Sequence, residues 1–349
     1  MLSINDSEDA KVPSGLPPVI DAHVHIFPES YFLAVREWFD KNAWHIRYQL
    51  TSSQVLTFLI SHGVQHIIAF QYAHRPGIAN DLNKYMAAKC AEYGNKVTGL
   101  ATVYPGEKEA ESILQEAFAS GLGGLKLHAH VQCFDMNSDD MNCLYECCRA
   151  NNKPVVMHVG REPKSTAYRC DPYKICSAEK LEGVLQDFPD LKICVPHLGI
   201  DETSAYQKLI NKYDNLWLDT TMAIAEYFPI NGEVDLNHYR PERVMYGSDF
   251  PISHTLFGFL EYLAEQTRRY QDNNDDHDEK CQKKVLRAAK QIRFVVKQPL
   301  TAGHICDSHL DQAKADEGHH RSGHHRGNYL SQMLQETTED HLDKGAKET

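Results

Sequence analysis

Short apolar runs recur along this chain, and each is followed by a stretch whose apolar positions return every three or four residues. The runs are residues 19–25 (VIDAHVH), 66–71 (HIIAFQ), 97–103 (VTGLATV), 124–128 (GLKLH), 154–158 (PVVMH), 192–197 (KICVPH), 216–220 (LWLDT) and 243–249 (RVMYGSD). Near-continuous apolar runs of this length suit parallel strands buried on both faces. The stretches between them, 78–93, 107–120, 139–151, 177–188, 201–213 and 256–270, read as amphipathic helices. Ser177 is placed to cap the fourth of these, with Glu179 in its first turn and Pro189 just beyond its end. Strand followed by helix, eight times over, predicts an α/β fold of the (β/α)8 TIM-barrel type. A doubly wound open sheet would usually carry a glycine-rich phosphate loop after its first strand. Here the first strand runs into His-x-His and then Phe27-Pro28.

The pattern divides the chain into three. Residues 1–18 are a polar, acidic extension with no apolar core, so they do not read as a secretory signal. Residues 19–297 are the barrel domain. Within it, 27–63 is longer than a simple connection, contains Trp38, Trp44, His45 and Arg47, and predicts an extra helix plus a loop over the barrel mouth. Residues 298–349 are polar and histidine-rich (His319, His320, His324, His325) and read as a mostly disordered tail, with a weak helix around 329–335.

Composition narrows the function. The formal net charge of −12 leaves nucleic-acid binding without electrostatic support. No run of about 18 apolar residues predicts a membrane span. The 10 cysteines include no C-x-x-C pair and read as reduced thiols of a cytoplasmic protein. The 20 histidines matter for where they stand. Residues i and i+2 of a strand face one side, so His23 and His25 point the same way. His158 closes the fifth run, His197 the sixth and Asp249 the eighth, each where strand gives way to loop at Gly160, Gly199 and Pro251. Barrel active sites are built at that end of the strands. Imidazole and carboxylate are zinc ligands of an open catalytic site, so these residues point to one divalent metal, expected to be zinc, with manganese or iron also accepting such donors. Asp249 is the candidate to move a proton, and His197 to polarise a carbonyl or hold water.

H-x-H on the first strand, histidines ending strands 5 and 6, and Gly247-Ser248-Asp249-Phe250-Pro251 on strand 8 resemble the amidohydrolase superfamily. The likeness is greatest to its amidohydrolase-related branch, which includes aminocarboxymuconate-semialdehyde decarboxylase, γ-resorcylate decarboxylase and lactone hydrolases. It spans residues 19–296. The resemblance implies His23, His25, His158 and Asp249 as metal ligands, His197 as the catalytic histidine, and a possible homodimer. One departure is the stretch 285–289 (VLRAA), where family members often carry an Asn-Ala pair.

Lys126 and His128 share one face of strand 4. In binuclear amidohydrolases a carboxylated lysine on this strand bridges two metals, and His197 would then bind the second. The other readings of Lys126 are an interior ion pair with Asp21 or Asp219, or a contact to a substrate anion. Arg161 after strand 5, Arg75 after strand 2 and His128 on strand 4 are further candidates to bind a carboxylated substrate, with an Arg161–Glu162 surface pair as the alternative for Arg161. The expectation is a metal-dependent hydrolase of a small carboxylated amide, lactone or ester. The alternatives are a non-oxidative decarboxylase with the same ligands, or a barrel that has lost catalysis and serves as a binding protein.

Overall fold

The computed structural model describes residues 11–162, 164–223, 234, 236–255, 257 and 260. Among the described residues, eight parallel strands form the core: β1 (Ile20–His25), β2 (His66–Phe70), β3 (Val97–Gly99), β4 (Leu125–His128), β5 (Val155–His158), β6 (Ile193–Val195), β7 (Leu216–Asp219) and β8 (Val244–Met245). They pair in order as β1-β2-β3 and β4-β5-β6-β7-β8. Single bridges, Ala101 to Leu125 and Val24 to Phe250, link the two sets into a closed ring. The barrel expected from the repeating pattern is present.

The strands are buried on both faces, as their apolar composition requires. Val155, Met157, Ile193, Val195, Leu216 and Leu218 belong to one large core that includes the helices. The alternate positions Phe70, Leu100, Val156 and Cys194 form a separate cluster, joined by Ile68, Trp217 and Met245. These fill the barrel interior. The register aligns Lys126 with Val156 and His128 with His158. The interior is therefore layered, with Lys126 among apolar side chains and His128 and His158 one layer nearer the carboxyl ends of the strands.

Helices α1 (Glu29–Asn42) and α2 (Ser52–Ser61) both lie between β1 and β2. The second completes the first βα unit, and the first is the extra helix expected there. Thr51 and Gln54 form a reciprocal capping box at the start of α2, an arrangement whose cap alone contributes about 1 kcal/mol. The insertion reaches two other loops. Trp44 Nε1 donates to the Ile252 carbonyl at 3.0 Å, and the Trp38 ring stacks on Tyr168 at 6.0 Å. Helices α3 (Ala79–Tyr93), α4 (Ala110–Ala119), α5 (Ala129–Gln132), α6 (Asp139–Ala150), α7 (Pro172–Ile175), α8 (Ala178–Asp187) and α9 (Thr203–Lys212) follow. The Ser177 side chain accepts from Lys180 N and caps α8, as its position predicts. No helix among the described residues is long and apolar enough to cross a membrane. Residues 1–10 of the extension, most of the 256–270 helix, the 285–289 stretch and the tail lie outside the described residues.

The segments that follow β5 and β6 touch. A Cβ on Gly160 would stand 2.5 Å from the Gly199 carbonyl oxygen, and one on Gly199 would stand 2.0 Å from the Tyr206 ring. Gly199 also has φ +84°, in a run of left-handed residues from His197 to Ile200. Only glycine tolerates both demands at position 199.

Candidate metal centre

His23 and His25 leave β1 on one side, as the two-residue strand period requires. Asp249, itself left-handed at φ 62°, meets them from the loop after β8. Its amide donates to the His23 carbonyl at 2.9 Å, which pins it to β1. His23 Nε2 lies 3.3 Å from His25 Nε2. Asp249 Oδ1 lies 3.1 Å from the first and 3.0 Å from the second. Yet Asp249 Oδ1, buried, has no hydrogen-bond partner.

For His23 the proton positions give a reason. His23 Nδ1 lies 2.8 Å from Asp219 Oδ2, so its proton belongs there. In the neutral ring, Nε2 then carries a lone pair that faces the lone pairs of Asp249 Oδ1. Such a meeting needs a positive charge between or upon the groups. Burial opposes charge on His23, but Asp219 and Asp249 raise its pKa above the ordinary value. Burial likewise opposes charge on Asp249, yet His23 and His25 hold its carboxyl well below the usual range. Burial lowers His25 to about 4, leaving its ring neutral. Ligand atoms about 2.0–2.1 Å from zinc stand about 3.3 Å apart in a tetrahedron. The three atoms here are spaced accordingly, so the donor set and geometry fit a divalent cation.

Asp219, which the sequence reading weighed only as a partner for Lys126, orients two site histidines at once. Besides holding His23, its Oδ1 accepts from the His197 amide at 3.0 Å. It also accepts from the Thr221 amide and hydroxyl. A carboxylate behind a ligating imidazole fixes its tautomer and raises its basicity. The clue was in the sequence: Asp219 ends an apolar run, as His158 and His197 do.

His158 does not complete the first group within the 4.8 Å spacing that unites His23, His25 and Asp249. It groups instead with His128 and His130. Its ring stacks on His128 at 3.9 Å. Its Nδ1 lies 3.2 Å from His197 Nε2, and its Nε2 lies 3.2 Å from Glu162 Oε2. His130 Nε2 lies 3.1 Å from Glu162 Oε1. His197 sits between the two groups, its ring 5.4 Å from His23 and 4.7 Å from His158. Burial lowers His197 to about 3, so its ring is neutral. The sequence pattern suggests Glu162 only as a partner for Arg161, and His130 lies on the four-residue helix α5, too short to carry a period from which to place it.

The remaining candidates divide sharply. Lys126 is fully buried in the interior layer, 4.4 Å above the Phe70 ring, and its Nζ has no hydrogen-bond partner. The expected ion pair with Asp21 or Asp219 is not formed. Asp21 is held by Ser248 and the His23 amide, and Asp219 by His23. Burial lowers the Lys126 ammonium to about 8, against the attraction of Asp219 and Asp249. Arg161 pairs with Glu202 rather than Glu162: its Nη1 lies 3.6 Å from Glu202 Oε1, and its Nε donates to the Tyr173 carbonyl. Arg75 is exposed on the loop after β2.

A family model described as amidohydrolase matches residues 20–289. The chain belongs to the amidohydrolase family. Solved structures repeat this family's barrel at low identity. An uncharacterised TIM-barrel protein from Bordetella bronchiseptica is 17% identical, with a TM-score of 0.56, over 80% of this chain and 100% of that one. The 5-carboxyvanillate decarboxylase of Sphingomonas paucimobilis is 16% identical, with a TM-score of 0.52, over 80% and 99%. That of Novosphingobium aromaticivorans, solved with manganese and 4-hydroxy-3-methoxy-5-nitrobenzoic acid, is 15% identical, with a TM-score of 0.51, over 82% and 97%. No curated protein matches this family member.

Proposed function

We propose that the protein is a metal-dependent amidohydrolase acting on a small carboxylated amide, lactone or ester. The observation that carries this reading is the unpartnered Asp249 Oδ1, set 3.0–3.1 Å from two imidazole nitrogens. His23, His25 and Asp249 would hold the ion, leaving a coordination position open, as catalytic zinc sites do. The bound cation supplies Lewis acidity, polarising a substrate oxygen and bringing the pKa of water to about 7. Asp249 takes the proton of water as its oxygen adds to the carbonyl carbon. The carbon–oxygen or carbon–nitrogen bond then breaks, and Asp249 returns the proton to the leaving atom. His197, its Nδ1 proton turned toward Thr221, presents Nε2 as an acceptor to His158 Nδ1, 3.2 Å away. Lys126, an unpaired ammonium beneath the rim, offers a positive charge to a substrate carboxylate. Arg161 and Arg75 would act only by leaving their present positions. Zinc suits the donor set.

Decarboxylation is the second reading. It is favoured by the likeness to two carboxyvanillate decarboxylases, one of them solved with manganese. There the ion that these residues would hold binds the substrate through its oxygens, and an acid protonates the carbon that loses CO2. Assays of metal-loaded protein on lactones and on phenolic carboxylates separate the two. Incorporation of oxygen from labelled water into a product acid is expected. Release of CO2 without such incorporation would replace hydrolysis with decarboxylation.

A further inference from the structure

We propose that Cys133 and Cys170 form a reversible disulfide that joins the segment after β4 to the segment after β5. Cys133 closes the four-residue helix α5 in a left-handed conformation, φ 55°. Cys170 precedes Asp171, whose side chain caps α7. The two residues are far apart in sequence, so spacing along the chain gives no sign of a pair. The fold brings both sulfurs to one atom, the His130 carbonyl oxygen. Cys133 Sγ donates to it at 3.4 Å and Cys170 Sγ at 3.1 Å. The two thiols also hydrogen-bond to each other. Both are free, Cys133 exposed and Cys170 half-buried, so a small reagent reaches Cys133 first.

The sulfurs need only pass from hydrogen-bond contact to a bond of about 2.05 Å. The chemistry is thiol–disulfide exchange with a small-molecule disulfide. Cys133, as its thiolate, attacks one sulfur of the reagent. The reagent's S–S bond breaks, and its other sulfur leaves with the electron pair and takes up a proton. Cys170 Sγ then attacks Cys133 Sγ in the mixed disulfide, the second reagent sulfur departs, and the Cys170 proton passes to it. The protein pair is oxidised by two electrons, and one reagent disulfide is reduced to two thiols. Excess small thiol drives the reverse exchange. Burial, then the contact with Cys133, holds the Cys170 thiol up at about 12, so it keeps its proton until the second step. The same two segments already meet without a covalent bond. His130 Nε2 lies 3.1 Å from Glu162 Oε1, the His130 ring packs 4.5 Å from Tyr168, and Arg169 donates to the Val131 carbonyl at 3.0 Å. The disulfide makes that span covalent and restrains the β5 segment that covers His130.

The test takes the folded, full-length chain, exposes it to oxidised glutathione, alkylates the remaining thiols and digests it with trypsin without reduction. Cys170 lies in the peptide 170–174, which holds no other cysteine, and fragmentation of the linked peptide reads its partner. The expected link runs from Cys170 to Cys133, is lost with dithiothreitol and is absent from Cys133→Ser and Cys170→Ser. The oxidised wild-type chain should melt at least about 3 °C above the reduced one. Brief native-state trypsin treatment should cut it after Lys164 and Arg169 about tenfold more slowly. Neither shift is expected in the two variants, and melting of the reduced variants with the reduced wild type shows that serine leaves the fold intact. Two alkylated thiols, or glutathione left on Cys133 without closure, overturns the proposal. So does a link from Cys170 to any other cysteine, a link formed only in urea, or an oxidised chain that melts below the reduced one. An unchanged cleavage rate overturns the restraint on the β5 segment.

Discussion

The two histidine groups at the barrel mouth are built by different means. In the first, two ligands come from one strand, the third is pinned to that strand through its own amide, and Asp219 stands behind His23. In the second, His128 and His158 end two paired strands, while His130 and Glu162 come from the segments that follow. Strand geometry fixes the first group before any ion arrives. The second depends on how two loops fold against each other. The difference teaches that pre-organisation in this barrel declines from β1 toward the β4 and β5 loops.

The comparison is broken most severely at Asp249. Asp249→Asn should lower turnover by about a thousandfold, the scale of several kcal/mol of lost Lewis-acid and proton-transfer stabilisation. Steady-state kinetics with metal analysis checks this, and a variant with full activity removes Asp249 from the chemistry. Next comes the loop side. Gly199→Ala places a methyl group into Tyr206 at a left-handed φ. Its cost should be about 3 kcal/mol, a fall in Tm of at least about 5 °C. An unchanged calorimetric trace would show that this loop yields more easily than its packing implies. Asp219→Asn should weaken metal binding about 10- to 100-fold without emptying the site under excess ion. Chelator competition reads that shift, and an unaltered affinity would detach Asp219 from the first group.

The smallest effect sharpens the contrast with a histidine outside both groups. His66 satisfies both ring nitrogens with Asn95 and Thr98 at 2.9 Å. Burial lowers its pKa from 6.5 in the folded chain. Above that value both folded and unfolded chains leave it neutral. As pH falls below it, the unfolded chain protonates first, and stability declines. His66→Gln should flatten the loss of urea stability just below pH 6.5 by a few tenths of a kcal/mol. A steeper loss in the variant contradicts this sign.

All eight strands, the capped helix at Ser177 and the shared face of His23 and His25 were legible in the sequence, because strand period and apolar runs are local properties. The direction in which His158 turns was not. It depends on which acceptor holds the His197 proton, and that acceptor, Thr221, lies on a loop after another strand. Glu162 was hidden for a related reason: sequence adjacency suggested Arg161 as its partner, whereas Glu202 takes the arginine and leaves the carboxylate for His130 and His158. The closed ring brings these residues together, and no pattern along the chain records that closure.

The insertion between the first two strands touches the β5 loop through Trp38 and the β8 loop through Trp44, with β6 and β7 between those strands. It works as a crossbar, attached at both ends by aromatic side chains, and its first residue, Phe27, stacks on the His25 ring at 6.0 Å. Exchange of this one segment would reshape what enters the barrel while the histidines and Asp249 kept their places. The segment that spans the mouth and most of the residues that line it are thus separate lengths of chain.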